Sequence, residues 1–260
     1  MSLCMLIARQ RSGTGALGSL LDQHKDIKYL GEVFHNDAIN NEPNYFNFLQ
    51  GLIAQDNLFG LPGNAEGKLD KYIEYLNGYS VKNNKIIDVK YRSLHHFNGY
   101  WHGPTDCPVI VDLARKINLP IIHLTRNNLL KTYISGQLAD INSVWHARDK
   151  SELKIETVTL DVNKTLSWLN NIDYEVEKMR FFLRNYSNVI HIEYEQLFRS
   201  NGVLTDVVSK KIETLLNVTD VEEAKSVFVK QASDNLEKVI ENYREVEFKL
   251  SNTKFSWMMY

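Results

Sequence analysis

The sequence is poor in the features that mark a secreted, membrane-spanning or metal-binding chain. Its only cysteines, Cys4 and Cys107, argue against a disulfide framework or a zinc site and are expected to be free thiols. No apolar run approaches the roughly 20 residues that span a bilayer, and the first run, residues 3–8, is too short for a secretion signal. A formal net charge of −2 gives no overall attraction to nucleic acid. We therefore expect a cytoplasmic enzyme that does not bind nucleic acid and builds any anion site locally.

Short apolar strands alternate with helical runs along the chain, whose 43% hydrophobic and 24% charged residues are typical of a globular protein. Strands separated by helices favour βαβ units, so we predict a three-layer α/β/α fold with a mostly parallel central sheet, in a single domain over residues 1–260. Residues 36–108 are expected to be least regular, and residues 36–67 are interpreted as an irregular or weakly helical excursion that forms part of the acceptor site. The predicted strands cover residues 3–8, 27–30, 86–91, 120–125 and 189–192, and the predicted helices include 69–76, 109–117, 127–139, 160–185, 204–216 and 235–243.

A basic, glycine-rich turn follows the first strand and leads into an amphipathic helix. Such a strand–loop–helix directs backbone N–H groups and the positive end of a helix dipole at one point, which suits a phosphate-like anion. A nucleotide-hydrolysing P-loop carries a lysine before its Ser or Thr, but no lysine lies between Gly13 and Ser19. The positive charge comes before the glycines instead, on Arg9 and Arg11.

This arrangement resembles the 5′-phosphosulfate loop of sulfotransferases, which use 3′-phosphoadenosine 5′-phosphosulfate (PAPS) as donor. The resemblance implies a P-loop-like α/β fold in which the loop's N–H groups, hydroxyls and the Arg11 cation stabilise charge on the departing phosphosulfate. A glycine turn with solvent-facing arginines is the structural alternative. The residues expected to bind the donor here are Arg9, Arg11, Ser12, Gly13, Thr14, Gly15 and Ala16.

A second element, about 115 residues later, resembles the 3′-phosphate site of the same family. Arg126 leaves a predicted strand, and Ser135 lies just over two turns into the next helix, so both can reach one phosphate. The spacing is nine residues where the family more often has eight, and Asn127 stands where many bacterial members have a second arginine. A capped helix with a surface arginine is the alternative. Both elements lie at the carboxyl ends of strands, where open α/β sheets bind ligands.

The resemblance runs from residue 3 to about 250, and residues 36–119 match least. Residues 191–197 and 240–250 resemble two further family segments, which we interpret as mainly structural. Family members that act on sugars and glycolipids keep a glutamate base after the second strand, where Glu32 stands here. A carboxylate or imidazole within hydrogen-bond reach can take the acceptor's proton, and His35 is the second candidate. Either residue could instead be a solvated loop residue.

Other polar residues are open to two interpretations. Lys90, at the end of a strand, points into the cleft or lies on the surface. Trp145 either stacks on a sugar acceptor or is a partly buried structural anchor, and His146 is a further candidate base. A group of aromatic and histidine residues has no zinc-like spacing and is interpreted as an acceptor loop or surface. Its members are His95, His96, Tyr100, Trp101 and His102.

The resemblance implies transfer of a sulfuryl group from PAPS to a hydroxyl of a carbohydrate, glycolipid or other small acceptor, with 3′-phosphoadenosine 5′-phosphate (PAP) as product and no metal required. Two alternatives remain. A degenerate P-loop kinase would need a lysine and an acidic magnesium ligand such as Asp88 or Asp112, and an inactive nucleotide-binding protein would keep the cleft without turnover. The sequence leaves the oligomeric state open, a homodimer included.

Overall fold

A five-stranded parallel sheet forms the centre of the protein in a computed structural model, which describes residues 2–35, 43–61, 63–97, 103, 105–145, 147, 149–221, 225, 226, 228 and 235–260. The strands are β1 (Ser2–Ala8), β2 (Ile27–Glu32), β3 (Asn84–Lys90), β4 (Ile121–Thr125) and β5 (Val189–Glu193). Their order in the sheet is β2-β3-β1-β4-β5, and all four pairings are parallel. Strand β1 is central and apolar on both faces because helices cover the sheet on each side.

The helices in the described part of the chain form the two outer layers and a C-terminal unit. They are α1 (Thr14–Leu21), α2 (Tyr45–Gln55), α3 (Ala65–Tyr79), α4 (Val109–Lys116), α5 (Leu129–Asn142), α6 (Val162–Leu183), α7 (Asp206–Leu216) and α8 (Tyr243–Leu250). Short 3-10 turns, such as Tyr91–Phe97 and Tyr194–Gln196, follow some of the strands. Among these helices none is long and apolar enough to cross a bilayer.

The alternation of side chains along β1 divides the core into two halves. Leu3, Met5 and Ile7 pack with buried residues of α3, α4 and α6 on one face of the sheet. Cys4, Leu6 and Ala8 pack with α1 and α7 on the other face. A third cluster joins α5, α6, α8 and the C-terminal turn. The predicted three-layer α/β/α fold is thereby confirmed.

Residues 36–67, interpreted as an irregular or weakly helical excursion, contain regular helix in their described part. A regular helix, α2, spans Tyr45–Gln55, and the Asn44 side chain caps it by accepting hydrogen bonds from the backbone N–H groups of Phe46 and Asn47. Tyr45 is the only residue of α2 that is fully buried, and the partly buried Phe46, Phe48 and Leu49 pack against the same core. Residues 36–42 and 62 lie outside the described part of the chain.

The helix predicted over residues 235–243 is wrong. Residues 239–241 pair with the chain around Val158, through hydrogen bonds from Val158 N–H to the Val239 carbonyl and from Glu241 N–H to the Val158 carbonyl. The Asn242 amide then bonds both backbone groups of Leu160. These long-range bonds occupy the backbone groups that a helix would use, and α8 therefore begins only at Tyr243.

Candidate anion-binding site

The loop between β1 and α1 lies at the centre of the carboxyl edge of the sheet. Ala8, the last residue of β1, is paired with Lys90 on one side and with Leu124 on the other. Two residues of the loop, Arg11 (φ 67°) and Gly13 (φ 93°), adopt left-handed backbone conformations. No side chain caps the first N–H groups of α1, so they remain available to an anion at this end of the helix.

Gly13 is required here for two reasons. Its positive φ suits a residue without a Cβ, and a Cβ at this position would come within 2.4 Å of the Tyr194 ring. Gly18, on the first helix, is in a similar position, since a Cβ there would meet the Tyr29 ring at 2.4 Å. The glycines of this segment therefore allow two tyrosine rings to pack directly on the loop and on α1.

On one side of the loop, Lys90 is buried and directed at the loop. Its Nζ donates to Thr14 Oγ1 and, at 2.7 Å, to Asp88 Oδ2, and it lies 3.3 Å from Glu32 Oε1. Tyr29 donates its hydroxyl to the same Asp88 oxygen at 2.8 Å. Burial, with Asp88 adding to it, raises the pKa of Tyr29 well above its usual range, so the phenol stays a donor. Of the two interpretations of Lys90, the surface lysine is wrong, since the side chain is buried against the loop. We refer to Glu32, Asp88, Lys90 and Tyr29 as the lysine cluster.

Glu32 lies on the solvent-facing side of the lysine cluster. It is the last residue of β2, which runs two residues beyond its predicted end, and the pairing with β3 shifts register between Tyr29 and Glu32. Gly31, at φ 73°, provides the turn that this irregularity needs. The Glu32 side chain is 30% exposed, so one carboxylate can contact Lys90 and still reach a molecule in solvent. His35 is exposed, and its backbone N–H donates to the Glu32 carbonyl.

On the other side of the loop lie two arginines and a serine from the middle of α5. Arg11 donates from Nε and Nη2 to Ser135 Oγ, at 3.1 and 2.9 Å, and from Nη1 to the Trp145 carbonyl at 2.6 Å. Arg126 donates from Nη1 to the Arg11 carbonyl at 3.4 Å, and its guanidinium lies 4.7 Å from the centre of the Tyr194 ring. We refer to Arg11, Arg126 and Ser135 as the arginine cluster.

Electrostatics in the arginine cluster favour an added negative charge. The pKa of Arg11 is lowered to about 10, chiefly by burial and next by the positive charge of Arg126, whereas the charges of Glu32 and Asp140 act in the opposite direction. Like charges held near each other in a partly desolvated site repel, and an anion between them removes that repulsion.

Arg9 is directed away from both clusters. Its Nε lies 3.4 Å from Glu175 Oε2 on α6, and its guanidinium faces the Trp168 ring at 5.7 Å. The side chain is buried, and that burial lowers its pKa to about 10. These contacts attach the end of β1 to α6, and binding of a ligand by Arg9 stays a prediction.

The remaining predicted residues that the structure describes lie in the loop, in the first turn of α1 and beside α2. Ser12 is buried within the loop, and Gly15 and Ala16 belong to the first turn of α1. His95 and His96 pack against each other, and His96 contacts Phe46 of α2. Among the described residues no three His, Cys, Asp or Glu side chains form a metal-sized group. Tyr100, Trp101, His102 and His146 lie outside the described residues.

Three contributors to the site were not expected from the sequence: Tyr29, Tyr194 and Glu195. Both Glu195 carboxylate oxygens accept hydrogen bonds from the turn after Arg126, from Asn127 N–H at 3.1 Å and Asn128 N–H at 3.2 Å. The segment 191–197, interpreted as mainly structural, thus fixes the turn that carries Arg126. Its similarity to a family segment was the available signal, but nothing local shows that it folds back onto the loop.

Comparisons with known proteins give matches only among solved structures. No family model matches the chain, and no curated protein matches its sequence. A sulfotransferase from Alicyclobacillus acidocaldarius is 13% identical, with 100% of this chain and 96% of that chain covered and a TM-score of 0.48. Mouse sulfotransferase SULT7A1, in complex with PAP, is 16% identical, with 99% of this chain and 87% of that chain covered and a TM-score of 0.44. Both of these solved structures are sulfotransferases of very different sequence.

Proposed function

We propose that this protein is a PAPS-dependent sulfotransferase that transfers a sulfuryl group to the hydroxyl of a small acceptor, a carbohydrate or glycolipid by its resemblance to bacterial enzymes. In the transfer, the acceptor oxygen forms a bond to sulfur while the bond from sulfur to the bridging oxygen of PAPS breaks. The acceptor's proton passes to Glu32, and the products are a sulfate ester and PAP.

The observation that carries the proposal is the presence of two cationic sites on either side of one glycine loop. Lys90 approaches the loop from β3 and contacts Thr14, and Arg126 approaches it from β4 together with Ser135. PAPS carries two separate anionic groups, a 5′-phosphosulfate and a 3′-phosphate. The lysine cluster and the open N-terminus of α1 suit the first group, and the arginine cluster suits the second.

The lysine cluster contains the groups that in-line transfer needs. Charge develops on the bridging oxygen as its bond to sulfur breaks, and a fixed cation such as Lys90 stabilises that charge. Glu32 contacts the same ammonium at 3.3 Å and is partly open to solvent, which suits a base that meets an incoming hydroxyl. Asp88 holds the Lys90 ammonium from the protein side, and Tyr29 donates to the same Asp88 oxygen.

The same geometry disfavours a kinase. P-loop kinases and ATPases hold magnesium between the hydroxyl of the loop and an aspartate of a neighbouring strand. Thr14 and Asp88 occupy comparable positions here, but the Lys90 ammonium lies between them and bonds both. A lysine in that position provides a positive charge at the loop without a metal.

Thermal unfolding with different nucleotides tests the donor. The protein is heated alone and with PAP, with ADP, and with ATP plus magnesium. A ligand at 100 times its Kd stabilises the native state by about 2.7 kcal/mol, which raises the Tm by a few degrees for a chain of this size. We expect stabilisation by PAP well beyond that by ADP. Stabilisation by ATP with magnesium instead would replace the proposal with the kinase alternative.

Turnover is tested separately, because an inactive protein could still bind PAP. Release of PAP from PAPS is measured with a panel of sugars and glycolipids, for the wild type and for Glu32→Gln. Acceptor-dependent release that the substitution abolishes supports the enzyme. PAP binding with no release from any acceptor would favour the inactive nucleotide-binding protein.

A further inference from the structure

Three polar side chains form a continuous series of hydrogen bonds on the face of the sheet that α6 covers. The Tyr91 hydroxyl lies 2.5 Å from His123 Nε2, and His123 Nδ1 lies 2.9 Å from His191 Nδ1. We refer to these three residues as the histidine relay. We propose that the histidine relay positions Lys90 for the transfer and that its hydrogen bonds rearrange when His191 takes up a proton. The role at Lys90 rests on the proposed function.

The pairing of the strands places the relay in one row across the sheet. Ile7 of the central strand β1 pairs with Val89 of β3 and with His123 of β4. His123 pairs in turn with His191 of β5. Tyr91, two residues after Val89, packs against the same core. The bond from Tyr91 to His123 therefore passes over β1 and joins the end of β3 to β4, and the bond between the histidines joins β4 to β5.

A fixed Tyr91 ring determines the direction of Lys90. The last backbone pair between β1 and β3 is Ala8 with Lys90, and Tyr91 begins the 3-10 turn that follows. Consecutive side chains of a strand point to opposite faces, so Tyr91 held on the α6 face directs Lys90 to the other face. There the Lys90 ammonium bonds Thr14 and Asp88. Tyr91 is thus a positioning residue that acts through its neighbour.

The bonds of the relay must all run in one direction, because each bond holds a single proton. Burial raises the pKa of Tyr91, so its phenol keeps a proton that it donates to His123 Nε2. His123 then carries its own proton on Nδ1 and donates it to His191 Nδ1. A proton taken up by His191 occupies that Nδ1, and His123 must move its own proton to Nε2, against the Tyr91 hydroxyl. Protonation of His191 therefore breaks or reverses the bond that holds Tyr91.

The two histidines differ in their access to protons. His123 is fully buried, and its pKa is lowered to about 3, chiefly by burial and next by the charges of His191 and Arg180. His191 is open to solvent on the edge strand β5, and partial burial, with the charges of Arg180 and Lys211, lowers its pKa below 6.5. Lys211 also donates to the His191 carbonyl at 3.3 Å. The charged groups that face Tyr91 are Arg9, Glu175, Glu177 and Arg180. The relay thus takes up a proton first at His191, at a pH below 6.5.

These shifts also make folding sensitive to acid. In the unfolded chain both histidines bind protons below a pH of about 6.5, whereas in the folded chain they stay neutral to a lower pH. The unfolded state therefore binds more protons as the pH falls from about 6.5. The stability that is present above this pH decreases below it.

Two substitutions interrupt the relay in different ways. Tyr91→Phe removes the hydroxyl at every pH and keeps the ring. His191→Asn keeps a polar atom near the position of Nδ1 but cannot take up a proton. The control is His24→Asn, which removes a histidine outside the relay, in the turn before β2 at the opposite edge of the sheet.

We expect Tyr91→Phe to lower kcat about tenfold at pH 7.5 and to leave PAP affinity within about twofold, because a misdirected Lys90 impairs the transfer more than donor binding. His191→Asn should keep kcat within about twofold of the wild type at pH 7.5 and lose less of it at pH 5.5. Protonation of Glu32 slows all variants alike, so the difference between the pH profiles isolates His191. Wild-type kcat in Tyr91→Phe, or the wild-type pH profile in His191→Asn, would overturn the proposal.

Urea unfolding at pH 7.5 and 5.5 tests the relay without turnover. The unfolding midpoint should fall less with acid in His191→Asn than in the wild type and in His24→Asn. If the wild type transfers a sulfuryl group to no acceptor, the proposed function fails and the role at Lys90 fails with it, while the unfolding midpoints still decide the response to acid. A wild type that turns over, with the same pH profile and the same midpoints in every variant, overturns this proposal alone.

Discussion

The two sides of the glycine loop balance their positive charge in different ways. In the lysine cluster one buried ammonium contacts two carboxylates, those of Asp88 and Glu32. In the arginine cluster two guanidinium groups lie together, and Arg11 donates hydrogen bonds to the Ser135 hydroxyl and the Trp145 carbonyl. A cation held between carboxylates suits orientation and catalysis, whereas two guanidinium groups that share one site suit tight binding of a fixed anion. Substitutions on the lysine side should thus change turnover, and those on the arginine side should change donor affinity.

The largest expected effect is on turnover, from Glu32→Gln. Loss of a general base costs about 10²- to 10⁴-fold in kcat, and the isosteric amide should leave PAP affinity within about twofold. The assay is PAP release under saturating PAPS, with Glu66→Gln as control because Glu66 is an exposed acid that pairs with Lys116 on the surface. A parallel loss of PAP affinity would show that Glu32 supports the donor site rather than the chemistry.

Lys90→Met should follow, with a decrease of about 10²- to 10³-fold in kcat, as for loss of a donor at the developing charge. It also leaves Asp88 buried without its cation, which costs about 3–5 kcal/mol in the free energy of unfolding. Urea unfolding measures that loss.

The double variant Lys90→Met/Asp88→Asn separates catalysis from folding. It removes the unbalanced carboxylate and should regain most of the stability while it stays inactive. A stable double variant with near-normal kcat would show that Lys90 takes no part in the transfer and that the two clusters do not differ in role.

On the arginine side, Arg126→Ala should weaken PAP binding about 10- to 100-fold and ADP binding much less, since ADP has no 3′-phosphate. Isothermal titration with both nucleotides measures the two losses. Equal losses of PAP and ADP would exclude Arg126 from the 3′-phosphate role.

The sequence predicted the positions of the two clusters but not how their side chains are directed. Strand ends are local features, and parallel strands bring Arg9, Arg126 and Lys90 to one edge of the sheet. The direction of Lys90 has no local signal, because every residue of β3 is buried and the strand shows no alternation. The direction of Arg11 depends on a backbone conformation with positive φ that only the folded loop reveals.

Helices were harder to predict where long-range contacts determine their limits. Helix α2 was taken for an irregular or weakly helical stretch, since its core contacts lie at one end, from Tyr45 to Leu49. The start of α8 was misplaced because pairing between residues 158–160 and 239–242 overrides the helical pattern of that segment. In both cases the deciding contacts lie far away in sequence, where periodicity carries no information.

The smallest effect expected on turnover comes from the tyrosines, one of which lies in each half of the site. Tyr29 acts through its hydroxyl, which bonds to Asp88, whereas the contacts of Tyr194 with Arg126 and Gly13 involve its ring. Tyr29→Phe should therefore lower kcat severalfold and reduce the free energy of unfolding by about 1.5–3 kcal/mol, as for a hydrogen bond to a charged group. Tyr194→Phe keeps the ring and should change neither kcat nor PAP affinity by more than about twofold. Steady-state kinetics and urea unfolding on both variants measure these effects. If Tyr29→Phe has no effect on kcat, Asp88 orients Lys90 without the Tyr29 hydroxyl, and Tyr29 does not contribute to the lysine cluster.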